Sequence, residues 1–144
     1  MDTRRIAVAV LVGAVVLYAT GYLIFDVTLA SFYTANAGSA TGVARDGQIV
    51  WAMALANLSY AGLITFAISN RGDALSIVKG ATIGAIVGFL VWFHVDFYFY
   101  SSANLANLTR TIVDPLLEFV HGGLGGAAIA LVLRSAATSR GGSA

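Results

Sequence analysis

The sequence predicts an all-α membrane protein in which four helices cross the bilayer as a single domain over residues 1–144. Three observations carry that prediction. Hydrophobic residues make up 58% of the chain and charged ones only 10%, too little polar material to coat a water-soluble domain. The apolar residues gather in four runs, about Ile6 to Phe25, Ile49 to Ser69, Ser76 to Tyr100 and Pro115 to Leu133, each able to cross roughly 30 Å of hydrocarbon as a helix. Within those runs stand His94, Asp96, Glu118 and His121, and ionisable groups at such depth are expensive enough to mark the place where polar work is done.

Charge and cysteine content exclude other classes. A net charge of +1, with the basic residues scattered singly, provides no face for nucleic acid. The absence of cysteine removes disulfides, thiolate metal sites and thiol nucleophiles.

The first helix is expected to run past Phe25 through Asp26 to about Tyr33, so that Phe32 and Tyr33 reach the headgroup interface. Arg4 and Arg5 before an apolar run, with Ala35-Asn36-Ala37 after it, imitate a signal peptide. The run exceeds a typical signal core, and a retained span is expected. Ala35 to Gln48, rich in Ala, Gly, Ser and Thr, reads as a solvated loop. The second span covers about 49–69. Asn70-Arg71-Gly72-Asp73 is then a short connection that makes the second and third helices antiparallel neighbours, and its Arg-Gly-Asp triplet reads as a turn with a charge anchor rather than an adhesion motif. The third span covers about 76–100, followed by a loop from Ser101 to Thr111. Asp114 before Pro115 reads as an N-cap with proline in the first helical position, which starts the fourth span, about 115–134, at that point.

Orientation follows from the basic residues. Arg4, Arg5, Arg71, Lys79, Arg134 and Arg140 fall on one side and only Arg45 and Arg110 on the other, which predicts cytoplasmic N and C termini. A shift of roughly 67 residues lays Gly13-Ala14 on Gly80-Ala81, Gly21 to Phe25 on Gly88 to Trp92, and Phe32-Tyr33 on Phe99-Tyr100. A slightly smaller shift lays Asn57 on Glu118 and Tyr60 on His121. The pattern predicts a two-helix hairpin used twice in parallel orientation.

Gly80, Gly84 and Gly88 recur every fourth residue, as do Gly122 and Gly126. Both series make small faces that let backbones approach closely, within the bundle or in a dimer. At about 1.5 Å per residue, His94 and His121 fall at similar height, with Asn57 near the same level and Tyr60 one turn deeper. Asp96 and Glu118 lie closer to the outer surface, and Asp26 and Asp114 near the interface. The polar groups thus form a funnel opening outward.

Asp114, Glu118 and His121 share one helix face, so a carboxylate and a histidine one turn apart can hold a proton or help bind a cation. The Glu-x-x-His spacing of 118–121 also occurs in di-iron bundles, but the repeat offers Asn57 and Tyr60 where a second copy is required. His94 facing His121 would suit bis-imidazole ligation of a haem, although no cofactor is the leading expectation. Interhelical hydrogen bonding without further chemistry is the leading expectation for the whole cluster, which includes His94, Asp96, Glu118, His121, Asn57 and Asp26, ahead of a proton or cation relay and of haem. The outer loop also carries the Asn107-Leu108-Thr109 sequon, and no lysine stands in mid-membrane to form a Schiff base.

The run Gly21 to Asp26 followed by Phe32-Tyr33, the glycine-rich third helix, and a fourth helix closing through His121-Gly122-Gly123-Leu124-Gly125-Gly126 resemble small bacterial four-helix membrane proteins of unknown function. That resemblance implies a bacterial inner-membrane location and the four-span layout, and carries over no catalytic residue. The function expected from sequence is non-enzymatic: a homo-oligomer or an accessory subunit of a larger membrane assembly. A small transporter or proton- or cation-binding protein is the alternative, and a haem-binding redox protein the third reading. The lipid bilayer and other membrane subunits are the expected partners.

Overall fold

The computed structural model describes residues 3–43, 45, 47–70 and 75–140, with the backbone alone for 135–140. The chain is all-helical: α1 (Thr3–Gly21), a π-helical segment (Tyr22–Thr28), a short α2 (Ala30–Ala35), α3 (Val50–Ser69), α4 (Ile77–Ser102) and α5 (Leu108–Arg140). Among the described residues, four stretches are long and apolar enough to cross a membrane, Thr3–Thr28, Val50–Ser69, Ile77–Ser102 and Leu108–Arg134. Large apolar side chains point away from the bundle, with Val15 69%, Phe66 67% and Val78 74% exposed. Such a surface suits lipid, where backbone groups are satisfied within each helix and apolar side chains need no protein cover.

The fourth helix departs from the sequence-based expectation. It begins at Leu108, and Pro115 stands inside it. Asn107 is the cap: its Oδ1 accepts the Arg110 amide at 3.0 Å, the third helical position. Pro115 is the eighth residue of α5, beyond the first turn whose N–H groups have no intrahelical partner, so it removes one intrahelical bond, the one to the Thr111 carbonyl; capping by Asn107 places Asp114 inside the helix all the same. The loop before it shrinks to residues 103–107. Its backbone is tied to the loop after α2, where Gly38 donates to Leu105 and Asn107 donates to Asn36.

The first span also differs in detail. Helix continues through Asp26, but as a π segment, and Leu29 interrupts it before α2 brings Tyr33 back over the bundle. The Arg71-Gly72-Asp73 turn and Asp46 lie outside the described residues, as does the Arg140 side chain used in the orientation argument.

Glycine determines how α4 and α5 meet, and this is the most extensive helix pair in the fold. A methyl group on Gly80 would come within 2.6 Å of the Gly126 carbonyl oxygen, and one on Gly122 would overlap the Gly84 carbonyl. A methyl on Gly88 would strike the Glu118 carbonyl and the Tyr60 hydroxyl. These faces are thus filled within the chain by backbone against backbone, the close approach that small residues permit. The core, formed by Ala9, Ala14, Leu17, Ala61, Ile64, Ile68, Ile83 and Ile129, occupies the end of the bundle nearer the chain termini.

Candidate functional site

At the opposite end the helices diverge around a cavity of about 780 Å³, lined by α1, the π segment, α2, α3, α4 and α5. This volume lies inside the range of roughly 300–1,000 Å³ usual for small-molecule sites. The lining is mainly apolar and aromatic, and four of its polar groups, Arg110, Asp114, Glu118 and His121, come from α5. They share one face because residues three and four apart on a helix project together.

His121 is the innermost. Its Nε2 lies 2.8 Å from the Leu17 carbonyl oxygen on α1, and its Nδ1 lies 2.9 Å from Glu118 Oε2. A carbonyl oxygen can only accept, so Nε2 carries a hydrogen. A second hydrogen must then lie between Nδ1 and Oε2, and the pair holds one proton, as imidazolium with carboxylate or as imidazole with carboxylic acid. The Tyr60 hydroxyl donates to the same Oε2 at 3.4 Å. Both residues are buried, His121 at 5% and Glu118 at 4% exposure. A pair that shares its proton carries no net charge and can be buried without an uncompensated ion. Phe25 and Tyr60 wall the imidazole edge-on, at centroid separations of 5.5 and 6.0 Å. Gly21 leaves room for it, since a methyl there would stand 3.3 Å from Nε2.

A second group lies nearer the mouth. The Tyr33 hydroxyl donates to Asp114 Oδ1. The Arg110 guanidinium sits over the Tyr33 ring, 4.8 Å from its centroid. Burial, then the hydrogen bond and charge of Asp114, push the Tyr33 phenol well above its ordinary value, and Arg110 opposes them. Asp114 is buried at 7% exposure. Asp96 of α4 lies beside the Asp114 carboxyl, and its Oδ2 is buried with no hydrogen-bond partner among the described residues.

The remaining residues singled out from sequence scatter. Asn57 and Asp26 line the cavity. Asn57 donates its amide to its own helix at Met53, and Asp26 accepts from Gln48 Nε2 at 3.4 Å at the exposed rim. His94 does not join the cluster. Val91, Trp92 and Val95 form the cavity face of α4, and one residue back from Val95, a rotation of about 100°, turns the imidazole outward. It is exposed and stacks on Tyr98. The bis-imidazole arrangement that haem would require is therefore not formed. Among the described residues, no three His, Cys, Asp or Glu side chains gather to hold a metal ion.

Sequence reasoning missed Tyr33, Arg110, Trp92 and the Leu17 carbonyl as site components. Arg110 was accessible, because it precedes Asp114 by four on the face that includes Glu118. The others come from different helices, and nothing in their spacing announces the contact. No family model matches the chain, and neither does any curated protein or solved structure.

Proposed function

We propose that the protein is a proton-linked binding protein or small transporter, which takes a small molecule into the cavity and uses Glu118 and His121 to hold and exchange a proton. The observation that carries this reading is a buried acid–base pair sharing one proton while lining a cavity of ligand size. Interhelical glue would need no such cavity, and a solvated surface pair would not be buried. The proposed setting is a bacterial inner membrane, with the core end, where Arg4, Arg5, Lys79 and Arg134 gather, facing the cytoplasm, so that the cavity opens on the other side. In the same reading α1–α3 and α4–α5 descend from one duplicated hairpin, and the charged pair belongs to the second copy.

Proteoliposomes loaded with a pH-sensitive dye provide the test. Under an imposed pH gradient, Glu118→Gln and His121→Ala should abolish the proton flux shown by the unsubstituted protein. Equal flux in all three would remove the relay.

An accessory-subunit or homo-oligomer role is the second reading, and His94 favours it. An imidazole exposed on the outer surface of a spanning helix is better satisfied against another helix than against lipid. A stoichiometric membrane partner retained in mild detergent, and lost on His94→Leu, would support that role.

A further inference from the structure

The proposed binding role leaves the ligand open, and the walls of the cavity narrow it. Tyr18, Tyr22, Phe25, Tyr33, Tyr60 and Trp92 contribute aromatic surface, and the carboxyl groups of Asp26, Asp114 and Glu118 outnumber the single guanidinium of Arg110. One aromatic face already holds a cation, since Arg110 lies over the Tyr33 ring. Aromatic faces attract cations through their quadrupole, and most strongly where water is excluded. An apolar body with one positive charge satisfies both parts of this wall. An anion would meet three carboxyl groups, and a neutral molecule would offer the Glu118 carboxylate no counter-charge once the shared proton departs.

We infer that the cavity binds an organic cation, an apolar amine or quaternary ammonium, in exchange for the proton shared by Glu118 and His121. The inference rests on the proton-linked reading above and adds the ligand class. The Leu17 carbonyl keeps the hydrogen on Nε2, so the proton that departs is the one between Nδ1 and Oε2. What remains is a neutral imidazole and a Glu118 carboxylate. One positive charge enters, one proton leaves, and the net charge of the site is unchanged. Tyr60 stays hydrogen-bonded to the carboxylate throughout.

The other titratable or charged groups facing this pair or the cavity around it are Tyr18 on α1, Tyr22 and Asp26 on the π segment, Tyr33 on α2, Tyr60 on α3, Asp96 on α4, and Asp114 with Arg110 on α5. Asp114 and Asp96 stand against Arg110 and Tyr33 at the mouth, which leaves Glu118 as the deep carboxylate for the ligand's charge.

The experiment compares benzyltrimethylammonium with neopentylbenzene, its neutral isostere, by calorimetry on the full-length protein in detergent, together with proton release in weak buffer. The cation is expected to bind at least tenfold tighter than the isostere, to release close to one proton per cation bound, and to tighten about tenfold per pH unit while the pair is protonated. Glu118→Gln should lose the proton release, and so should His121→Gln, which keeps a polar side chain if the first variant folds poorly. Equal or tighter binding of the isostere would overturn the cation class while leaving the cavity a binding site. Cation binding without proton release would overturn the exchange. Binding of neither compound would overturn the inference, and the dye assay on the same preparation would then show separately whether the proton-linked reading survives.

Discussion

Replacing Gly84 by alanine tests the central packing claim with a calculable displacement. The added methyl would overlap the Gly122 carbonyl oxygen and stand 2.9 Å from Gly126 Cα. Carbon atoms pack best at about 3.5–4.0 Å, so Gly126 would have to withdraw by about 0.6–1.1 Å. Both obstacles are backbone, and no rotamer change relieves them, so α4 and α5 must part along their length. Overpacking of this kind costs about 1–3 kcal/mol. Alanine's better helix propensity returns up to about 1 kcal/mol. With both clashes against backbone the cost falls at the upper end of that range, and a net loss of about 2 kcal/mol is expected. Gly62 on α3 provides the control, because a methyl there meets nothing within 4 Å and Gly62→Ala should be neutral or stabilising by up to about 1 kcal/mol. Equilibrium unfolding in mixed micelles, followed by near-ultraviolet circular dichroism, measures both. If Gly84→Ala were as stable as the parent, or Gly62→Ala as damaging, close backbone packing would not be what holds α4 to α5.

Two further outcomes follow from the mouth of the cavity. Asp96→Asn places an amide donor beside Asp114 where a buried carboxylate oxygen now lacks a partner, and should stabilise the fold by about 1 kcal/mol near neutral pH; a lower unfolding midpoint would show that the acid itself is needed there. Tyr33 has its phenol raised above the ordinary value of 10.0, so the unfolded chain gives up this proton first. The stability it contributes is complete below about pH 10 and declines as the pH rises above that. Tyr33→Phe should therefore be less stable at neutral pH and lose less stability between pH 9 and 11, read from unfolding midpoints across that range; parallel pH profiles would contradict it.

The number of spans was legible in sequence because hydrocarbon thickness sets a minimum apolar length, and four runs meet it. The face shared by Asp114, Glu118 and His121 was legible for a similar reason, since helical spacing puts residues three and four apart together wherever the helix begins. The start of α5 was not, because Asn107 and Asp114 both offer a cap and local chemistry did not choose between them. The tie from the Asn107 backbone to Asn36 joins loops 71 positions apart. His94 illustrates the same limit. Its depth could be counted from the boundary of α4, but its direction depended on which face of α4 the glycines and Val91, Trp92 and Val95 turned inward.

Composition and periodicity by themselves thus determined that this is a helical membrane protein with its mid-span ionisable groups, His94, Asp96, Glu118 and His121, in the second half of the chain. They act through lipid solvation and helix geometry, both of which are local. Only the tertiary structure decided that Glu118 and His121 share a proton against the Leu17 carbonyl, that Tyr33 closes over Asp114, and that His94 faces outward. Those outcomes depend on the rotation and separation of whole helices, which the glycine contacts between α4 and α5 set.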